Sequence, residues 1–452
     1  MMQLFPAKND IYMDIDKEIE LDEFTQYSFP SFSVKFYCGK RIIIFNEIGK
    51  WIVLENDSQY VFFEKLIKHP IYEAIALSQT NQHDFENVLI QIEAKNICKT
   101  ITFEKSRSNS LHLYLTNACN LRCPHCYMNA DIKNENELSL EEIINLTKEF
   151  KLSGGDKIIL SGGEVLMRPD FSEIVKKCGE LMLEVEVLTN GILWNRLILD
   201  SIAKYITKVQ ISIDGYNEEE NAKVRGNGSF EKAIRSIDLF AEYDIPIEVA
   251  VTPHYDKQLK SKVSNYANFG KWLLSKYSGK ITAVKFTGEI FDGRDIVFTD
   301  EQKAEYLDIA QKIYQQCFNA TGDEAFVEYH KKGGLEGNCN YGNLAIDSIG
   351  DIYFCPAINL MKPLGNLRNV NLTTLFSKTA IVKQRSHVDN IKPCKNCDLR
   401  YICGGECRAK HFKAFSNCEE TLQTQHGERL CDEKTKSYYY TMMIRTNEAT
   451  FE

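Results

Sequence analysis

The residues most able to do chemistry are three cysteines at C-x3-C-x2-C spacing, Cys119, Cys123 and Cys126 in TNACNLRCPHCY. Three thiolates so spaced can hold three irons of a cubane cluster and leave the fourth iron open. A structural zinc site wants four ligands, and no fourth Cys or His has suitable spacing, although His125 lies inside the loop. A second set reads Cys339-x10-Gly350-x4-Cys355, then Cys394-x2-Cys397-x5-Cys403-x3-Cys407, with Cys418 and Cys431 beyond. Paired cysteines of this kind suit iron–sulfur clusters, and zinc ribbons show similar pairs. Between the two sets stand Ser161-Gly162-Gly163-Glu164, Thr189-Asn190-Gly191, Ser212-Ile213-Asp214-Gly215 and Arg225. Glycines without Cβ let the backbone approach a ligand closely. The ordinary reading of the rest is plain: Asn-Gly and Asp-Gly are common turn dipeptides, and an arginine is often a solvated charge.

The elements that must position these residues follow a regular pattern. Apolar runs at 111–116, 157–161, 184–189, 208–213, 246–252 and 281–286 predict strands. Helical patterns separate them near 139–151, 170–182, 195–204, 229–243, 257–277 and 301–319. Six β-α alternations imply a parallel sheet with crossover helices, open or curled into a partial barrel. Ligands then gather at the carboxyl ends of the strands, where the cysteine loop and the three later motifs fall. Upstream, 32–54 carries short β-rich stretches broken at Gly39 and Gly49, followed by helical patterns near 58–67, 70–77 and 84–97. That describes a winged-helix-like module. From about 333 the alternation stops, and the chain reads as cysteine-rich and loop-rich.

Composition narrows the class further. The 452 residues suffice for several domains and a large core. A net charge of -9 without a dense basic stripe disfavours nucleic acid as a partner. No apolar run is long enough to span a membrane, and acids near the start do not suit a secretory signal. The expectation is a cytoplasmic protein. In a reducing compartment, clustered cysteines among the 15 are metal ligands more often than disulfides. Cys38, Cys98, Cys178 and Cys317 stand alone and are expected to be small hydrophobes.

In these motifs the chain resembles the radical S-adenosylmethionine (SAM) superfamily, over most of its length. The resemblance implies a partial (β/α)6 TIM-type barrel whose three-cysteine loop binds a [4Fe–4S] cluster, with SAM chelated at the open iron. Reductive cleavage of SAM then yields a 5′-deoxyadenosyl radical that abstracts a substrate hydrogen. Gly162, Gly163 and Glu164 would hold the SAM ammonium, and Ser212 its ribose or methionine portion. Arg225 would reach the SAM carboxylate, while Asp214 orders the same loop and Asn190 ends strand three. The family usually has Pro after this glutamate, and here Val165 follows.

The second cysteine set resembles the SPASM extension of peptide- and protein-modifying relatives. That resemblance implies two auxiliary clusters. Cys339, Cys355 and Cys407 would hold the first, and Cys394, Cys397, Cys403 and Cys431 the second. The stretch 340–354 contains no cysteine, which leaves the first auxiliary cluster an open iron unless Cys418 closes it. Beside this extension the amino-terminal module resembles the leader-recognition element of ribosomal peptide maturation pathways, which takes a peptide as an added strand at an edge within 32–54.

The expected organisation is a recognition module at 1–105, a radical SAM barrel at 106–330 and a SPASM domain at 331–452. The expected function is a maturase acting on a ribosomally synthesised precursor peptide, most simply by a cysteine thioether crosslink. An external electron donor such as flavodoxin or ferredoxin would serve it. A carbon–carbon crosslink, an epimerisation, or formylglycine formation of the anaerobic sulfatase-maturing type are the alternatives. A non-catalytic electron carrier would have no use for the SAM-pocket motifs.

Overall fold

A computed structural model of the chain describes residues 2–4, 19–98, 109–287, 290–318, 339, 341–411 and 431–451. Cys418 and the expected domain boundaries near 105 and 330 lie outside the described residues.

Among the described residues the central sheet has eight strands. Six are parallel and adjacent in chain order: β6 (Ser110–Tyr114), β7 (Lys157–Ser161), β8 (Glu184–Thr189), β9 (Lys208–Ser212), β10 (Ile247–Val251) and β11 (Ile281–Phe286). Their crossover helices are α4 (Leu140–Leu152), α5 (Phe171–Glu180), α6 (Arg196–Ile202), α8 (Ser229–Glu242) and α9 (Val263–Lys276), and α10 (Asp300–Phe318) follows β11. The expected open barrel of six β-α units is what forms.

Alternation along each strand explains why these segments pair as they do. One face carries Leu111, Leu113, Ile158, Leu160, Val185, Val187, Val209 and Ile211, all buried in one core with the helices. The other face is polar, and neighbouring strands place opposite charges side by side. Lys157 and Lys208 both reach Glu186 at 2.9 Å, and Glu248 meets Lys208 at 3.2 Å and Lys285 at 2.6 Å. Such cross-strand pairs favour the observed neighbours.

The chain beyond 333 is less loop-rich than its composition suggests. Strands β12 (Leu344–Ile346) and β13 (Ile352–Tyr353) extend the sheet, with β12 parallel to β6. Helices Leu372–Arg385 and Glu433–Phe451 follow. The second cysteine region is therefore built directly onto the strand that leads into the first.

Upstream, β3 (Phe32–Tyr37), β4 (Lys40–Phe45) and β5 (Lys50–Leu54) form an antiparallel sheet. Helices α1 (Asp57–Leu66), α2 (Ile71–Ser78) and α3 (Gln82–Ala94) accompany it. Ile43, Phe45, Ile52 and Leu54 pack on these helices. Ile42, Ile44, Trp51 and Val53 face the other way, onto Leu399, Ile402, Cys403, Tyr440, Met443 and Ile444. Burial of both faces is why β4 and β5 read as continuous apolar runs rather than alternating ones. Trp51 Nε1 donates to the Met443 carbonyl at 3.1 Å, and buried Lys95 donates to Trp51 O at 2.9 Å and Asn447 Oδ1 at 2.8 Å.

Of the four lone cysteines, Cys178 and Cys317 are buried and Cys98 is half-buried. Cys38 departs from expectation. It is exposed, at φ 49° in the tight turn between β3 and β4, where chain reversal rather than packing decides the geometry.

Helix α4 begins with a capping box, in which Ser139 and Glu142 satisfy each other's backbone N–H groups. Arg368 also binds Glu142, at 2.6 Å, tying the second cysteine region to the barrel. The Arg368 hydrogen bond holds the Glu142 carboxyl at about 2, below its ordinary 4.5. A depressed folded pKa means that this contribution is present above pH ~4.5 and lost as pH falls towards ~2. Both side chains are about one-third exposed, so Arg368→Ala should cost about 1 kcal/mol or less at pH 7. Urea unfolding across pH should show the difference between variant and wild type vanishing in acid.

Candidate active site

The cysteine loop leaves β6 at its carboxyl end, and local hydrogen bonds shape it before any metal is considered. Glu137 Oε1 accepts from Thr116 Oγ1 at 3.0 Å, Asn117 N at 2.7 Å and Asn134 N at 3.1 Å. Cys119 N donates to Asp131 O at 3.0 Å, and Cys126 N to Cys123 O at 3.1 Å. Cys119, Cys123 and Cys126 are all half-buried. Burial pushes the Cys119 thiol up to about 11 and raises that of Cys123, where Arg225 opposes the shift. Thiolates here need a cationic partner such as a bound metal.

The Gly-Gly turn after β7 lies against this loop, backbone on backbone. Gly163 N donates to Thr116 O at 2.8 Å and Glu164 N to Ala118 O at 2.9 Å. A Cβ on Gly162 would meet Thr116 O at 2.6 Å, and one on Gly163 would meet Ala118 O at 2.3 Å. Neither space admits a side chain.

Glu164 is buried, and burial raises its carboxyl pKa. Opposing that shift, Oε2 accepts from Asn190 N at 2.8 Å and Oε1 from Thr189 Oγ1 at 2.7 Å. Oε2 retains acceptor capacity for a ligand ammonium. The Asn190 side chain is committed elsewhere: Nδ2 donates to Asn120 Oδ1 at 2.8 Å, and Oδ1 accepts from Ile192 N at 3.0 Å. It braces the cysteine loop.

Asp214 is buried at the end of β9. Its Oδ2 accepts from Arg225 Nε at 2.6 Å and lies 3.5 Å from His125 Nε2, while Oδ1 accepts from Thr252 N at 3.2 Å. Burial lowers the His125 pKa, favouring the neutral ring. Burial opposes charge on Arg225, but Asp214 and the nearby Cys123 outweigh it and hold the guanidinium protonated. Arg225 therefore stands beside the cysteine loop with Asp214 as its protein partner. Ser212 is half-buried, at the end of β9.

In the second region, Cys394, Cys397, Cys403 and Cys431 line one cavity of about 480 Å³, together with Arg400, Lys436 and Tyr439. Among the described residues no group of three or more His, Cys, Asp or Glu is placed to hold a single ion. A structural zinc site draws four ligands to about 2.3 Å from one ion, and the described side chains are not drawn together in that way. Cys339 and Cys355 pack against the barrel core, and half-buried Cys407 follows the Gly404-Gly405-Glu406 turn. Fully buried Arg408 bonds Ser386 O at 2.9 Å through Nη2 and Gly404 O at 2.8 Å through Nη1, fixing that turn.

Several residues here escape sequence reasoning. Asn221 is fully buried on helix α7 (Glu218–Arg225), and its Oδ1 accepts from Asp214 N and Gly215 N at 2.9 and 3.1 Å. The cap Asn217 was the available signal for that helix. Gly293 leaves no room for a Cβ against His125, and Asp295 N donates to Pro124 O at 3.0 Å, so the segment after β11 closes on the cysteine loop. Its only sequence cue is a common Asp-Gly dipeptide.

Comparison with known proteins agrees with this geometry. Residues 113–258 match the radical SAM superfamily and residues 339–398 the SPASM iron–sulfur cluster-binding domain. Mycofactocin maturase MftC of Mycolicibacterium smegmatis is 29% identical over 316 residues, 66% of this chain and 77% of its own. An AdoMet-dependent heme synthase of Methanosarcina barkeri is 25% identical over 327 residues, 66% of this chain and 91% of its own. Among solved structures, anSMEcpe with bound AdoMet shares the fold, with TM-score 0.53 and 18% identity over 75% of this chain and 96% of that one. The chain carries a radical SAM domain at 113–258 and a SPASM iron–sulfur cluster-binding domain at 339–398. It is an enzyme whose cofactors are SAM and [4Fe–4S] clusters.

Gly163→Ala tests the backbone contact directly. Overpacking of about 1–3 kcal/mol should displace the cysteine loop and sharply lower the iron-to-protein ratio after anaerobic reconstitution. Full iron retention would contradict the role given to this turn.

Proposed function

We propose that this enzyme is a peptide maturase that takes a precursor by its leader at the amino-terminal sheet and crosslinks a cysteine sulfur to carbon. What supports the peptide reading is the state of that sheet's two edges. At β5 the edge is closed by Gln91, whose Oε1 accepts from Val53 N at 2.8 Å while Nε2 donates to Val53 O at 2.9 Å. That carboxamide occupies the place of a partner strand. At β3, among the described residues, the outer edge has no strand partner. There Val34 is 43% and Phe36 63% exposed. Soluble proteins usually blunt such an edge, and an extended peptide satisfies it by strand addition, with pockets for alternate side chains. The MftC maturase is similar in kind. Because a heme synthase is about as similar, the recognition module rather than the barrel carries the peptide assignment.

Three cysteines of the first loop would hold the cluster that binds SAM, with Glu164 and Ser212 as SAM contacts and Arg225 beside them. Asn190 and Asp214 would act by holding the loop and the arginine. Once loaded, that site supplies a deoxyadenosyl radical able to take hydrogen from carbon. Cys394, Cys397, Cys403 and Cys431 would hold one auxiliary cluster, and Cys339, Cys355 and Cys407 another with a coordination position to spare. That spare position would suit a substrate thiol, which metal coordination favours as thiolate. The reaction would balance with one electron and SAM consumed, and with methionine and deoxyadenosine carrying the carbon's hydrogen released. The thiol proton and one electron would be lost as the C–S bond forms, the electron passing to an auxiliary cluster.

Two measurements test this. Reconstituted, reduced enzyme with the precursor encoded beside its gene should release deoxyadenosine and a peptide lighter by two hydrogens with one fewer alkylatable cysteine. The same mass loss with every cysteine still alkylatable would exclude the thioether, and no deoxyadenosine would remove the enzymatic reading. Separately, Val34→Asp and Phe36→Asp should each weaken leader binding about ten-fold or more by fluorescence anisotropy, since each places a charge in an apolar contact. Unchanged affinity would move the peptide away from β3.

A further inference from the structure

Glu164 is held by more than its immediate partners. Thr189 Oγ1 is 2.7 Å from Glu164 Oε1, 2.9 Å from Trp194 Nε1 and 3.0 Å from Gly191 N. A hydroxyl has one proton and two lone pairs. The indole and the backbone N–H can only donate, so they fill both lone pairs and leave the hydroxyl proton a single destination, the Glu164 carboxylate. The chain from Trp194 through Thr189 to Glu164 therefore runs in one direction, as a carboxylate acceptor requires, and the indole together with Gly191 N–H fixes where the hydroxyl sits. Leu166 N lies 3.5 Å from the same carboxylate oxygen, so Oε1 is filled. Oε2, with Asn190 N as its one donor among the described residues, keeps a lone pair open.

The indole itself has little freedom. Trp194 is 7% exposed, wedged between Phe171 at 5.9 Å and 86° and Phe240 at 4.8 Å and 61°, ring to ring. Those partners belong to α5 and α8, on the helical side of the sheet. Trp194 thus stands on the helical side of the sheet yet anchors the hydroxyl that holds the Glu164 carboxylate.

We infer that Trp194 is a positioning residue for SAM, which orients the Glu164 carboxylate through Thr189 so that Oε2 is presented to the SAM ammonium. This rests on the reading of Glu164 as the ammonium acceptor. In a buried carboxylate, loss of one orienting hydrogen bond weakens binding of the cation that depends on it, and one net hydrogen bond corresponds to roughly five-fold.

The experiment uses full-length reconstituted enzyme, reading SAM affinity from the change in the reduced cluster's electron paramagnetic resonance signal, with melting temperature and saturated deoxyadenosine release alongside. Trp194→Phe, which keeps a ring and removes the donor, should raise the SAM dissociation constant roughly five-fold and leave saturated turnover unchanged. Thr189→Val should raise it at least as much and make the Trp194 substitution silent, while Thr189→Ser restores wild-type affinity. Ser236→Ala removes the neighbouring bond to Gly191 O and should leave affinity unchanged. If Ser236→Ala weakens SAM as much as Trp194→Phe, the effect is general loosening of the turn and the inference falls. If Glu164→Gln weakens SAM and Trp194→Phe does not, the positioning role alone is wrong. If Glu164→Gln binds SAM like wild type, the reading of Glu164 fails and takes the inference with it.

Discussion

The site depends on two backbone segments meeting with no side chain between them. Gly162 and Gly163 let the end of β7 hydrogen-bond the start of the cysteine loop, where any Cβ would collide with the carbonyls of Thr116 or Ala118. That contact places Glu164 beside the thiols. Asn190 and Asp214 then join from the ends of β8 and β9, and Arg225 from helix α7, because the strands from β6 to β11 run the same way. A parallel sheet ends its strands on one edge, so residues scattered over a hundred positions of sequence become neighbours.

A second constraint joins the remaining parts. The small amino-terminal sheet buries both faces, one on its own helices and the other on the loops and helix that carry Cys397, Cys403 and the residues after Cys431. Trp51 and Lys95 bond across that seam to Met443 and Asn447. The module with the open β3 edge is thus docked on the cysteine-rich region, and β12 attaches the same region to β6. A peptide held at β3 would belong to the same packed body as the barrel opening.

Much of this arrangement was legible in the sequence, for physical reasons. Strands such as Lys157–Ser161, Glu184–Thr189 and Ile281–Phe286 fall where apolar runs between turn residues put them, because burial of one face dictates the pattern. Helix Glu218–Arg225 was not legible, since its charged NEEENAKVR stretch has almost no apolar face and it serves to place Asn221. Strands β12 and β13 are too short for periodicity to detect; β6 offers β12 an edge, and β12 in turn offers one to β13. Residue type also says less than contact does. Asn190 and Arg225 stand beside the cysteine loop, but their side chains are bonded to Asn120 of that loop and to Asp214, and the fit of Gly293 against His125 depends on a fold no local pattern encodes.

Low-temperature electron paramagnetic resonance of the anaerobically reduced protein, before and after adding SAM, tests the central claim most directly. An iron whose fourth position belongs to no residue should give a [4Fe–4S] signal that changes shape when the nucleotide arrives, and the change should persist in a variant lacking Cys394 and Cys397. A signal indifferent to SAM, or protein carrying only zinc, would contradict the account.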